Sequence, residues 1–393
     1  MKPGLLLAAC AVMLSASPAS AGWIRAWQAS PQRPLARDLA MMPRISGVRI
    51  EQVIRLAAGG RRVRMRLSNQ FATDPLEIRE VTVARLGTAC RATGTRPRAP
   101  VAVRFRSTNV AAGTFAESIP IALRVRPDDC LLVTIDLPGT ASKPTVHRIA
   151  RADAIVAPLA VSNIAPRPLA VASGMRYFLS GVDVDSKGPL RVIVAAGDSI
   201  TDGVGSTINA DRRWPDFLQR RILKARMPFA VVNAGISGNR VLREGTGPSL
   251  LARFDGDVLD VPGIAYVILL EGINDLGAAA QDGRMPDSNA VIAGYREIIA
   301  RAHARGVKVI GATITPYKGA SFYSDAGELT RAEINAWIRG PGNFDAVVDF
   351  DAAIRDPTDT QRIRGDCHSG DRLHPNDRGF EMLAQAVGLK LFR

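Results

Sequence analysis

Ser199, His374 and Asp371 are the residue types that acyl transfer to water requires: a nucleophile, a base to take its proton, and a carboxylate to orient that base. Ser199 ends the tripeptide Gly197-Asp198-Ser199, directly after an apolar run. Asp371 and His374 lie three residues apart in Asp371-Arg372-Leu373-His374-Pro375. That spacing lets the carboxylate reach the imidazole Nδ1 within one loop, leaving Nε2 to accept the serine proton. Two further segments, Asn233-Ala234-Gly235 and Gly272-Ile273-Asn274-Asp275, also follow apolar runs. The N–H of Gly235, unobstructed by a side chain, can approach a substrate closely. With the Ser199 N–H and the Asn274 side-chain amide it would make three donors for a developing oxyanion. Asp198, Asn239 and Asp275 are expected to brace these loops.

Other chemistries find less support. The serine segment is not Gly-x-Ser-x-Gly, because Thr201 holds the last place, so the α/β-hydrolase elbow is not matched. Gly203-Val204-Gly205 suggests a phosphate cradle, but Ile208 stands where a dinucleotide fingerprint needs its third glycine, and no Gly-Lys-Ser/Thr follows. Without a Cys-x-x-Cys pair a structural zinc site is not expected, and only His368 offers itself as a metal partner to His374. The reading therefore needs no cofactor and no metal. His303 falls in a helical pattern and reads as a surface or packing residue; His147 reads as reaching the cleft rim at most.

These segments need a scaffold that brings them to one place. From residue 189 onwards, apolar strands are expected at 190–196, 229–232, 264–270, 307–314 and 346–350. Helical stretches near 215–226, 289–305, 329–339 and 377–390 alternate with them. Buried strands alternating with helices imply βαβ units and a doubly wound parallel sheet. In such a sheet the loops after the carboxyl ends of the strands line one crevice. Before residue 182 the pattern differs. Arg62-Val63-Arg64-Met65-Arg66-Leu67-Ser68 alternates with period two, and short apolar stretches recur at 48–56, 78–86, 101–105, 119–125 and 131–137. That is the mark of half-buried strands in a sandwich or jelly roll. The polar stretch at 181–189 reads as the linker, giving domains at 22–182 and 189–393.

The N-terminus carries Lys2, an apolar run from Leu5 to Leu14, and the small-x-small site Ala19-Ser20-Ala21. This is a secretory signal pattern with cleavage expected after Ala21, so the product is expected to be secreted or periplasmic. No later apolar run reaches the roughly 20 residues of a spanning helix. Export favours a disulfide between Cys90 and Cys130, with Cys367 left over. The formal net charge is +14, with arginine far in excess of lysine and scattered along the chain. A solvated basic surface, attractive to polyanions, accounts for this; no basic helix or basic–aromatic module suggests nucleic acid.

The four segments resemble the four blocks of the SGNH hydrolases, the GDSL esterase/lipase superfamily. The blocks' catalytic Ser, Gly, Asn and His match Ser199, Gly235, Asn274 and His374, and Asp371 matches the aspartate of the family's Asp-x-x-His. The resemblance implies a flavodoxin-like three-layer SGNH fold. It also implies a serine ester hydrolase with Ser199, Asp371 and His374 catalytic and Ser199, Gly235 and Asn274 forming the oxyanion hole. Trp27-Gln28-Ala29-Ser30-Pro31, Arg66-Leu67-Ser68-Asn69 and Arg213-Trp214-Pro215-Asp216 are further similar to a secreted bacterial subgroup with an N-terminal β domain. Asn233-Ala234-Gly235-Ile236-Ser237-Gly238-Asn239-Arg240 extends that likeness. The pair Cys367-His368 departs from the expected pattern. The expected partner is a small-molecule or polysaccharide ester, with acyl or acetyl esters of carbohydrates foremost. The alternatives are short-chain or lipid acyl esters, acyl transfer to an alcohol by the same nucleophile, and a non-catalytic glycan-binding protein.

Overall fold

A computed structural model describes residues 22–90, 99–159, 170–284 and 287–392. The signal pattern at residues 1–21 and its cleavage site lie outside the described residues.

The N-terminal half is built of antiparallel sheets. One has four strands, in the order Trp23–Gln28, Leu179–Asp185, Val63–Ser68 and Phe115–Glu117. The other has six, in the order Val171–Ser173, Ala154–Pro158, Ser46–Arg55, Cys130–Thr140, Glu80–Gly87 and Val101–Ala102. Period-two alternation turns Val63, Met65 and Leu67 of the first sheet and Ile50, Ile54, Val133 and Ile135 of the second into one core. Residues 119–125 form no strand; they run extended beside Gly60 and Val63 through isolated bridges. Cys90 and Cys130 are joined by a disulfide, and Cys367 is free and buried.

Arginine recurs in this half for a structural reason that composition hides. Arg49 faces Asp136 across neighbouring strands, and Arg64 faces Asp183, each pair bonded at 2.7–2.8 Å. Arg25 and Arg148 are buried against Asp183 and Asp38. Two of these cations are buried and two half-buried, so the basic surface is only part of their explanation. The same pairing places part of the expected linker stretch inside a strand. Val182-Asp183-Val184-Asp185 has the polar look of a linker, yet it belongs to the buried strand Leu179–Asp185 because Arg25 and Arg64 neutralise Asp183. The connection to the second half is residues 186–190.

The C-terminal half is a five-stranded parallel sheet in the order Phe229–Gly235, Arg191–Gly197, Ile264–Leu270, Lys308–Ala312 and Ala346–Val348. Chain order is thus 2-1-3-4-5, the flavodoxin-like arrangement, with the order reversing at the strand that leads to Ser199. Alternation divides that strand between two cores. Ile193 and Ala195 pack with Trp214, Leu218 and Phe380 of the helices Trp214–Lys224 and Asp377–Ala386. Val192, Val194 and Ala196 share the opposite core with Tyr295, Ile298 and Ile334 of the helices Ser288–Ala304 and Asp325–Arg339. Ile24 and Ala26 of the β half belong to that same core. The halves are therefore packed together. Arg25 N–H donates to Pro262 O at 3.0 Å, Gln219 Nε2 to Ala57 O at 3.0 Å, and Arg55 pairs with Asp211 at 2.8 Å.

Candidate active site

Ser199 is the first residue of a one-turn helix, Ser199–Asp202, that begins where the strand Arg191–Gly197 ends. Asp198 caps this helix, its Oδ1 accepting the Ile200 N–H at 2.9 Å. Gly197 is required by space: a Cβ there would collide with Leu270 O and Thr201 Oγ1. The turn is thereby pressed against the neighbouring strand, and the Ser199 side chain is held almost fully buried.

Asp371 and His374 arrive from the far end of the chain. Arg372 between them adopts φ +60°, and Asn376 caps the last helix by accepting the Gly379 N–H at 3.0 Å. His374 Nε2 lies 2.8 Å from Ser199 Oγ, and Nδ1 lies 2.6 Å from Asp371 Oδ2. Asp371 Oδ1 accepts the N–H groups of Leu373 and His374 at 3.0 and 2.9 Å. Partial burial by itself would raise the Asp371 carboxyl. The His374 side chain and these two backbone N–H groups outweigh burial and hold it well below the usual carboxylate range.

The three oxyanion donors named from sequence are not equivalent. Among the described residues the Ser199 N–H makes no hydrogen bond within the protein. Asn274 donates one amide hydrogen to Asn239 O at 2.9 Å, which orients the group and leaves its second hydrogen. The Gly235 N–H is already engaged, donating to Asn233 Oδ1 at 2.8 Å. Gly235 also answers a packing demand, since a Cβ there would collide with the Asp202 backbone. For Gly235 to serve an oxyanion it must share or exchange that bond.

The bracing residues act as expected, with partners the sequence does not disclose. Asp275 accepts the N–H groups of Val241 and Leu242, and Asn239 donates to Pro248 O at 2.8 Å. Arg253 went unrecognised in the sequence. It is buried, donating to Gly197 O at 3.1 Å, Ala234 O at 2.7 Å and Asn239 Oδ1 at 2.8 Å. One guanidinium thus ties the ends of two strands to the loop behind Asn274. Glu271 was also missed: it is buried, and among the described residues neither carboxyl oxygen finds a well-formed hydrogen-bond partner. Burial and the nearby Asp198 raise its carboxyl well above the ordinary value, while burial pushes Asp198 up to about 7 and Asp275 up to about 6. The only sequence signal for Glu271 is a charged residue closing an apolar strand.

His147 is not at the cleft rim. It is buried between the halves, with Nε2 2.9 Å from Asp202 Oδ1. His303 pairs with Asp345 at the surface, and His368 Nδ1 accepts the Gly370 N–H at 3.0 Å. Among the described residues no three His, Cys, Asp or Glu side chains gather as a metal site would need.

Residues 195–382 match the model of the GDSL-like Lipase/Acylhydrolase family, a span that contains Ser199, Gly235, Asn274, Asp371 and His374. The C-terminal half is a GDSL-like acylhydrolase domain. No curated protein matches the chain. Among solved structures, the acylhydrolase half is similar to a GDSL-like lipase from Bacteroides thetaiotaomicron, at 18% identity and a TM-score of 0.38, covering 51% of this chain and 87% of that one. It is similar also to an acetylxylan esterase from Geobacillus stearothermophilus, at 20% identity and a TM-score of 0.40, covering 51% of this chain and 94% of that one.

Proposed function

We propose that this chain is an exported serine ester hydrolase, with Ser199 as nucleophile, His374 as general base and acid, and Asp371 as the group that orients His374. The observation that carries the reading is the continuous hydrogen-bond chain from Ser199 Oγ through the His374 ring to Asp371, at 2.8 and 2.6 Å. Ser199 Oγ attacks the ester carbonyl while His374 Nε2 takes its proton. The Ser199 N–H, the free hydrogen of the Asn274 amide and, on release from Asn233, the Gly235 N–H hold the oxyanion. Nε2 then protonates the departing alcohol, the ester C–O bond breaks, and an acyl-serine remains. A water molecule, giving its proton to Nε2, attacks that acyl group; collapse returns the proton to Ser199 and frees the acid. No cofactor enters any step.

The substrate class we favour is an acyl or acetyl ester of a carbohydrate, for which the net charge of +14 would assist encounter with acidic polysaccharides. Export rests on the pattern at residues 2–21 and is supported by the Cys90–Cys130 disulfide. A fluorophosphonate probe should label Ser199, and a panel of p-nitrophenyl esters and acetylated sugars should show turnover. A folded protein inert to the probe would overturn the reading in favour of a glycan-binding module. Asn274→Ala should lower kcat for p-nitrophenyl acetate by about a hundred- to a thousandfold, as loss of one oxyanion donor does. A change of less than threefold would remove Asn274 from the oxyanion hole.

A further inference from the structure

We infer that His147, contributed by the β half, is a positioning residue for hydrolysis: through Asp202 it fixes the loop after Gly235 against the turn that carries Ser199. This deepens the ester-hydrolase reading and rests on it.

His147 closes the short strand Val146–His147 and is 6% exposed. Its Nε2 lies 2.9 Å from Asp202 Oδ1 and its Nδ1 3.0 Å from Ser30 O. A carbonyl oxygen and an ionised carboxylate can only accept, so both ring nitrogens donate and the ring is an imidazolium. Burial alone would discharge it, and Arg213 opposes its charge. The Asp202 charge, with the bonds to Asp202 and Ser30, outweighs both and raises the pKa above the ordinary histidine value.

Asp202 is the hinge of the arrangement. It lies three residues after Ser199, and its N–H donates to Asp198 O at 2.8 Å, closing the nucleophile's own turn. Its second carboxylate oxygen accepts the Ser237 N–H at 2.9 Å and the Ser237 hydroxyl at 2.6 Å. Ser237 is two residues beyond Gly235 and two before Asn239, whose carbonyl orients Asn274. One carboxylate therefore joins the nucleophile turn to the loop serving the oxyanion side. Asp202 is itself buried, and His147 is the cation bonded to it. A buried carboxylate deprived of such a partner seeks water or a new position. A cavity of about 60 Å³ borders His147 and Asp202. It is roomy enough for water to satisfy Asp202 if the ring is removed, so the variant should fold.

The full chain carrying His147→Ala should show kcat lowered roughly ten- to a hundredfold, with KM within about twofold of wild type, as expected for displaced catalytic groups. His147→Gln, which can still donate to Asp202, should restore most of the loss. Hydrogen–deuterium exchange should quicken in a peptide spanning residues 233–239 of the alanine variant, a readout independent of turnover. An alanine variant with kcat within twofold of wild type and unchanged exchange overturns the inference. Should that variant fail to fold, Ser237→Ala tests the other end of the link with little loss of volume. It should lower kcat at least threefold, and an unchanged kcat overturns the inference. Probe labelling of Ser199 in the wild type separates the two claims. Labelling with unaffected variants defeats the positioning role alone, whereas absent labelling defeats the hydrolase reading, and the exchange measurement then decides the link between His147 and the loop.

Discussion

Ser199→Ala is expected to lower kcat for p-nitrophenyl acetate by about 10⁴- to 10⁶-fold, the scale seen when a triad nucleophile is deleted. In the proposed mechanism the hydroxyl forms the acyl intermediate and donates to His374 Nε2 at 2.8 Å, and among the described residues no other hydrogen-bond partner is seen at that nitrogen. Binding and the remaining oxyanion donors would still leave a weak residual rate over water. The fold should persist, because the helix cap is provided by Asp198 and the close packing by Gly197, neither of which the substitution touches. Turnover measured beside circular dichroism and a melting curve checks this. A folded variant that keeps a tenth of the wild-type rate would remove Ser199 from the mechanism.

Asp371→Asn is expected to cost about 10³- to 10⁴-fold in kcat with little change in KM. The reason is geometric. Asp371 Oδ1 is fixed by the N–H groups of Leu373 and His374, so an asparagine would keep its carbonyl oxygen there and turn its NH₂ towards His374 Nδ1. An amide that donates to Nδ1 forces the ring proton onto Nε2, and Nε2 can no longer accept from Ser199. The wild-type pH profile bears on the same point. Because the folded-state carboxyl of Asp371 is held below its usual range, its ionised form and the stabilisation that goes with it are present above the unfolded carboxyl value, about 3.9. That stabilisation is lost only as pH falls through the lower folded value. Asp371 is therefore ionised throughout the weakly acid range, so its hydrogen bond to the His374 ring should persist there unchanged. An Asp371→Asn variant within tenfold of wild type would exclude this role.

The two halves of the fold were legible for different reasons. Continuous apolar strands alternating with helices announced the parallel sheet, and the expected strand at 264–270 matches Ile264–Leu270. Period-two alternation announced the antiparallel half, and 62–68 corresponds to Val63–Ser68. The linker reading failed at Leu179–Asp185 because the charge of Asp183 is cancelled by Arg25, 158 residues away, and no local pattern carries that information. The short helices Phe350–Ile354 and Ser199–Asp202 escaped notice because a turn or two of helix shows too little periodicity.

The sequence by itself determined which residue types stand at the ends of the strands and in what order: Ser199, Gly235, Asn274, then Asp371 and His374. Turn chemistry and apolar runs are short-range properties written in neighbouring residues. Only the tertiary structure decided how those groups are occupied. It engages the Gly235 N–H with Asn233, places Arg253 beneath two strand ends, buries Glu271 without a well-formed hydrogen-bond partner among the described residues, and brings His147 to Asp202 across 55 residues. Hydrogen-bond partners and buried charges depend on which surfaces meet, and that is fixed by the packing of both halves against a shared core.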